Sequence, residues 1–187
     1  AELPAEINAL KTQQFRWTKG AIETAKKLLP SVWKSDLPFG TKLQCTVHLT
    51  SNIVFPFIVL VALLNVPLVI IKNTVAGYDQ YFTMMSVFVL ASISTFAFYT
   101  YAQRAIHLDW RRRILLFPVF MAGSMGLAVN NSRAVLEALF NKKTEFTRTP
   151  KYRVEENSDQ WKDKKYVQKK IGKAVFLEIG LALYFIF

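Results

Sequence analysis

The sequence predicts an all-α membrane protein: interfacial amphipathic helices plus about three transmembrane helices, cut from a larger chain. Three observations carry this. Of 187 residues 52% are hydrophobic, yet they gather in blocks with Lys and Arg between them, giving a net charge of +11. Residues 53–71 and 82–101 form two runs near the roughly 20 residues that a spanning helix needs. The chain opens on a polar stretch without Met and stops inside "AVFLEIGLALYFIF", which is shorter than a span, so both ends read as cut.

Each element follows from its pattern. Residues 7–29 are rich in helix formers, with Pro4 before them and Pro30 placed to end the helix. Lys11, Lys19, Lys26 and Lys27 alternate there with Leu10, Phe15, Trp17, Ile22 and Leu28, the pattern of a basic amphipathic helix lying in the membrane interface. Residues 31–40 hold two further prolines, Trp33 and Phe39, which suits a turn at headgroup depth. The first span contains Pro56 and Pro67, which membrane helices tolerate when neighbours satisfy the freed carbonyls. Residues 72–81 form a neutral loop, whereas "AQRAIHLDWRRR" after the second span is strongly basic. The positive-inside rule puts that basic loop, and with it the amino-terminal helix, in the cytoplasm.

Residues 114–129 are short for a span, contain Pro118, Gly123 and Gly126, and have basic flanks on both sides. They are read as an interfacial or re-entrant element rather than a crossing. Residues 130–141 continue as an amphipathic helix with Val135, Leu136, Leu139 and Phe140 on its apolar side. A charged loop occupies residues 144–170, and a further span begins at Ala174. Four regions result: 1–40, the interfacial helix; 41–113, two spans and a cytoplasmic loop; 114–173, interfacial helices and a polar loop; and 174–187, the start of another span.

Composition excludes several chemistries. With one cysteine, Cys45, no intrachain disulfide or Cys-based metal site can form. His48 and His107 lack ligand spacing, which argues against zinc. The basic loops already have a reason to be basic beside apolar spans, so nucleic acid is not expected as a partner. No Gly-rich phosphate loop, paired acids or Ser/His/Asp set occurs, so no catalytic residue is assigned to this chain.

The candidate binding residues are Gln13, Arg16 and Trp17, spaced i, i+3, i+4 on one helix face. Arg offers a charged fork that matches phosphate oxygens, Gln can donate to phosphate or a sugar hydroxyl, and Trp is a broad plate for a sugar ring. Gly20 removes bulk from the same stripe and would let another segment come close. The competing reading is an interfacial helix with Trp at the headgroups and Arg snorkelling to lipid phosphate. A second group, Phe146, Thr147, Arg148, Thr149 and Lys151 in "EFTRTPKY", offers hydroxyls and basic partners in a loop that would close over phosphates. Its competing reading is a solvated basic loop near anionic lipid.

"QQFRW" resembles the Q-x-x-R-W motif of processive family 2 glycosyltransferases, which include cellulose, chitin and hyaluronan synthases. The flanking "AELPAEINALKTQQFRWTKGAIETAKKLLP" resembles the cellulose-synthase-like enzymes that make mannan and related β-glucan backbones. "FTRTPKY" is similar to their gating-loop F-x-V-T motif, with Arg148 where Val is usual. The resemblance implies the carboxy-terminal membrane half of an inverting hexosyltransferase. Trp17 would stack on the acceptor sugar, Gln13 and Arg16 would hold the acceptor end and the donor diphosphate, and Phe146 to Lys151 would belong to the gating loop. Implied partners are a UDP- or GDP-hexose donor, a polysaccharide acceptor, the lipid membrane and an amino-terminal catalytic domain that carries the base and a Mg or Mn ion. Channel-lining aromatics would include Phe96, Tyr99, Tyr101 and Trp110, against the alternative that they merely pack. A non-catalytic membrane anchor or transporter subunit is the expectation from a different class, and it would need an internal repeat or an intramembrane charge pair.

Overall fold

A computed structural model describes residue 4, residues 6–144 and residues 173–186. Every regular element among them is helical. The chain divides into two compact units, one of residues 1–59 with 127–187 and the other of residues 60–126.

The first unit is organised by α1 (Ile7–Lys34). Pro30 does not end this helix, contrary to the sequence expectation; it sits inside it, one turn from the end. The last turn is held from outside by α2 (Phe39–Thr50). Trp33 Nε1 donates to Thr46 Oγ1 at 3.0 Å, Lys42 Nζ donates to the Trp33 carbonyl at 3.2 Å, and the Trp33 and Phe39 rings meet edge-on. These contacts offset the hydrogen bond that the proline ring removes. The turn expected over 31–40 therefore shrinks to residues 35–38.

A short 3-10 turn (Ser51–Ile53) leads into α3 (Val54–Thr74). At 1.5 Å per residue α3 is roughly 32 Å long, matching the hydrocarbon thickness of a bilayer. Continuous helix over Phe39–Thr74 is long and apolar enough to cross a membrane, and none of its most apolar stretch is buried.

α8 (Ala128–Leu139) lies along α1 and makes the most extensive helix–helix contact in the unit. Its buried face is Ala128, Asn131, Ser132, Ala134, Val135 and Ala138, packed on the side of α1 that buries Thr18, Ile22 and Ala25. Of the apolar side read from the sequence, Val135, Leu136, Leu139 and Phe140, only Val135 is buried against α1, and Phe140 is 79% exposed. Small side chains let the two backbones approach closely, so they win the interface and the large residues flank it. The helix ends at Asn141, whose φ of 54° is the left-handed C-terminal conformation that Asn tolerates. α9 (Lys173–Ile186) is the final apolar helix, packed on α8.

The second unit contains α4 (Asp79–Met85), α5 (Val89–Ile106), α6 (Trp110–Ile114) and α7 (Phe117–Gly126). The loop read as residues 72–81 is only residues 75–78, turned by Gly77 at φ 96°, where a side chain would be strained. Helix over Asp79–Ile106, with a 3-10 turn at Ser86–Phe88, is the second segment long and apolar enough to cross a membrane. Phe96 and Tyr99 of α5 pack against Phe117 of α7 at 5.3 Å, and Tyr99 also meets Phe120 at 5.4 Å. Residues 114–129 are not one element: turns at Leu115–Leu116 and Leu127 divide them among α6, α7 and α8. α7 alone, at 10 residues, reaches only about 15 Å.

Candidate functional site

Gln13, Arg16 and Trp17 lie in the first half of α1. At 100° per residue, they and Gly20 centre roughly 160° around the helix from Thr18, Ile22 and Ala25. The face of α1 that carries the motif is thus the face turned away from α8. Gln13 and Arg16 are half-buried, while Trp17 is 61% exposed. A Cβ added at Gly20 would meet nothing within 4 Å. The close approach expected at this glycine is therefore not made among the described residues. Phe146, Thr147, Arg148, Thr149 and Lys151 lie outside the described residues.

The opposite face of α1 is where the sequence reading missed the structure. The lysines were read only as part of a basic interfacial helix; three of them are used inside the protein. Lys19, with a side chain only 8% exposed, donates to the Lys142 carbonyl and to Thr144 Oγ1, both at 2.5 Å, and lies 3.6 Å from Glu137 Oε2. Lys26 Nζ donates to the carbonyls of Ala138 and Leu139, both at 3.0 Å, and to Asn141 Oδ1 at 2.6 Å. These ammonium groups sit at the carbonyl end of α8, where the helix dipole favours positive charge. Lys11 pairs with Glu178 of α9 at 2.6 Å, and Asn130 Nδ2 donates to the Lys11 carbonyl at 2.9 Å. The spacing of Lys11, Lys19 and Lys26, eight and seven residues apart, was the available signal, since it keeps all three on the stripe of Phe15 and Ile22.

Glu137 is the hub of this clamp. Its side chain is 7% exposed and faces Arg133 at 2.9 Å, Lys19 at 3.6 Å and Lys142 at 3.7 Å. Burial opposes its charge, but the Arg133 hydrogen bond and the charges of Arg133, Lys142 and Lys19 outweigh burial and hold its carboxyl below the ordinary value. Arg133 also lies over the Phe15 ring at 5.4 Å, tying the hub back to α1.

Chemically, the face turned from α8 combines a half-buried guanidinium and amide with an exposed indole, a set suited to binding a phosphorylated sugar rather than to proton transfer. Among the described residues no three His, Cys, Asp or Glu side chains gather. Comparison with family models, with curated proteins and with solved structures finds no match for this chain.

Proposed function

We propose that this chain is the membrane-channel and acceptor-binding half of an inverting β-glycosyltransferase that moves hexose from a nucleotide-sugar to a growing polysaccharide and helps translocate it. The observation that supports the reading is the two-faced α1. One face is clamped to α8 and α9 by Lys11, Lys19 and Lys26, and the other presents Trp17, 61% exposed, beside Gln13 and Arg16. A helix seated this firmly holds a binding face at fixed depth, which an anchor alone does not require.

In this reading α1 and the basic segment after α8 lie on the cytoplasmic side, while α3 and the α4–α5 segment cross the bilayer. Trp17 carries the acceptor ring on its face, and Arg16 and Gln13 hold diphosphate oxygens. The acceptor hydroxyl attacks the anomeric carbon, its proton passes to a carboxylate of the catalytic domain, and the nucleoside diphosphate leaves. The deciding experiment uses membranes containing the intact protein, fed labelled UDP- or GDP-hexose. Trp17→Ala should reduce polymer to background, with membrane insertion unchanged by alkaline extraction and partial recovery in Trp17→Phe. Normal synthesis by Trp17→Ala overturns the proposal.

One observation favours a second reading, a non-catalytic membrane anchor or transporter subunit. Glu178, within an apolar helix, pairs with Lys11 at 2.6 Å, the kind of charge pair such a protein uses. That reading requires function to depend on Lys11 and Glu178 and to survive Trp17→Ala.

A further inference from the structure

Beside the Glu137 hub lies an open groove of about 600 Å³. Its apolar wall comes from three helices: Val59 of α3, Leu136 and Phe140 at the end of α8, and Leu177 of α9. Its polar end is made by Asn130, Ser132, Arg133, Glu137 and Lys142. Ser132 is 8% exposed, and its Oγ makes no hydrogen bond among the described residues. Arg133 spends its Nε on Glu137, and its terminal nitrogens make no hydrogen bond among the described residues. Lys142 Nζ stands 3.7 Å from Glu137, beyond hydrogen-bond reach, with its side chain 64% exposed.

Two cations that line this end, Arg133 and Lys142, face the single carboxylate of Glu137, with the buried Lys19 behind it, leaving the polar end net positive. The wall leading from it is continuous with α3 and α9, whose apolar side chains are largely exposed. Phosphate at one end and hydrocarbon along the other is the complement of this surface. We infer that the groove binds one anionic phospholipid, its phosphate on Arg133 and Lys142 and an acyl chain along Leu136, Phe140 and Leu177. The cations supply charge selectivity, and the wall separates a lipid from a free phosphate.

The test titrates the full chain in neutral detergent with phosphatidylglycerol and with phosphatidylcholine of identical acyl chains, read by native mass spectrometry. One phosphatidylglycerol should bind in preference to phosphatidylcholine. Arg133→Gln and Lys142→Gln should each weaken it about five-fold, and the double variant about 25-fold. Because Arg133→Gln also disturbs Glu137, Leu136→Trp provides a second arm: it fills the groove with all charges intact and should abolish the bound lipid while helicity is retained. Glycerol 3-phosphate, which carries the headgroup chemistry without chains, should not displace the lipid at equal concentration. Equal binding of the two lipids, undiminished binding by the double variant or by Leu136→Trp, or displacement by glycerol 3-phosphate overturns the assignment.

Discussion

Replacing Glu137 with Gln keeps the side chain's shape and removes its charge, so it isolates what the hub contributes. Arg133 and Lys142 are 62% and 64% exposed, and solvent screening limits each of those pairs to about 0–1 kcal/mol. Lys19 is different, because it and Glu137 are 8% and 7% exposed. Removing one partner of a buried pair typically costs about 3–5 kcal/mol. The Lys19 ammonium would keep the Lys142 carbonyl and Thr144 Oγ1, which softens the loss to about 2–3 kcal/mol. The assay is reversible unfolding in mixed micelles for wild type, Glu137→Gln, Lys19→Met and the double variant, with coupling read from the cycle. Acid adds an independent check. The folded carboxyl is held below its ordinary value, so on acidification the unfolded chain takes up the proton first. The charge's contribution is complete above the unfolded value and is lost as pH falls below about 4. Glu137→Gln should therefore flatten the acid limb of stability against pH. A cost under about 0.5 kcal/mol with an unchanged acid limb would refute the hub as a stabilising element.

Other perturbations probe the rest of the clamp. Lys26→Met should leave the end of α8 without its ammonium cap, costing about 0.5–1 kcal/mol and raising amide exchange in the last turn of that helix. Lys11→Glu should loosen α9, and adding Glu178→Lys should restore thermal stability; failure of the reversed pair to recover would mean that the pair at 2.6 Å contributes nothing. Ala138→Leu at a position with no exposure should overpack the α1–α8 seam and cost about 1–3 kcal/mol in denaturant titration.

The apolar blocks made the helical class and the two long apolar segments legible, because length and polarity are written directly in the chain. Helix ends were less legible. Pro30 signals a stop locally, but Trp33 and Lys42 belong to contacts between α1 and α2, and such contacts override the local rule. The same limit explains α8: hydrophobicity ranks Leu136 and Phe140 above Ala134, whereas a close seam selects for size. The lysines of α1 were visible, yet their partners include three backbone carbonyls, which carry no residue identity to recognise. Glu178 is an acid within an apolar run, and the cation that pairs with it lies 167 residues away in the chain. The Gln13, Arg16 and Trp17 spacing was readable as a shared face; that this face is the one turned from α8 required the lysine clamp to be seen.

The lysine spacing also constrains what lengths α1 can have. Lys19 and Lys26 grip residues near one end of α8, and a residue inserted between them would rotate one grip about 100° from the other. The same insertion would turn the segment bearing Trp17 relative to its seat. Single-residue insertions and deletions should therefore be barred from residues 19–26, yet be tolerated at residues 75–78, where the chain turns in the open. The clamp works as a ruler cut into the chain, fixing rotational phase as well as position.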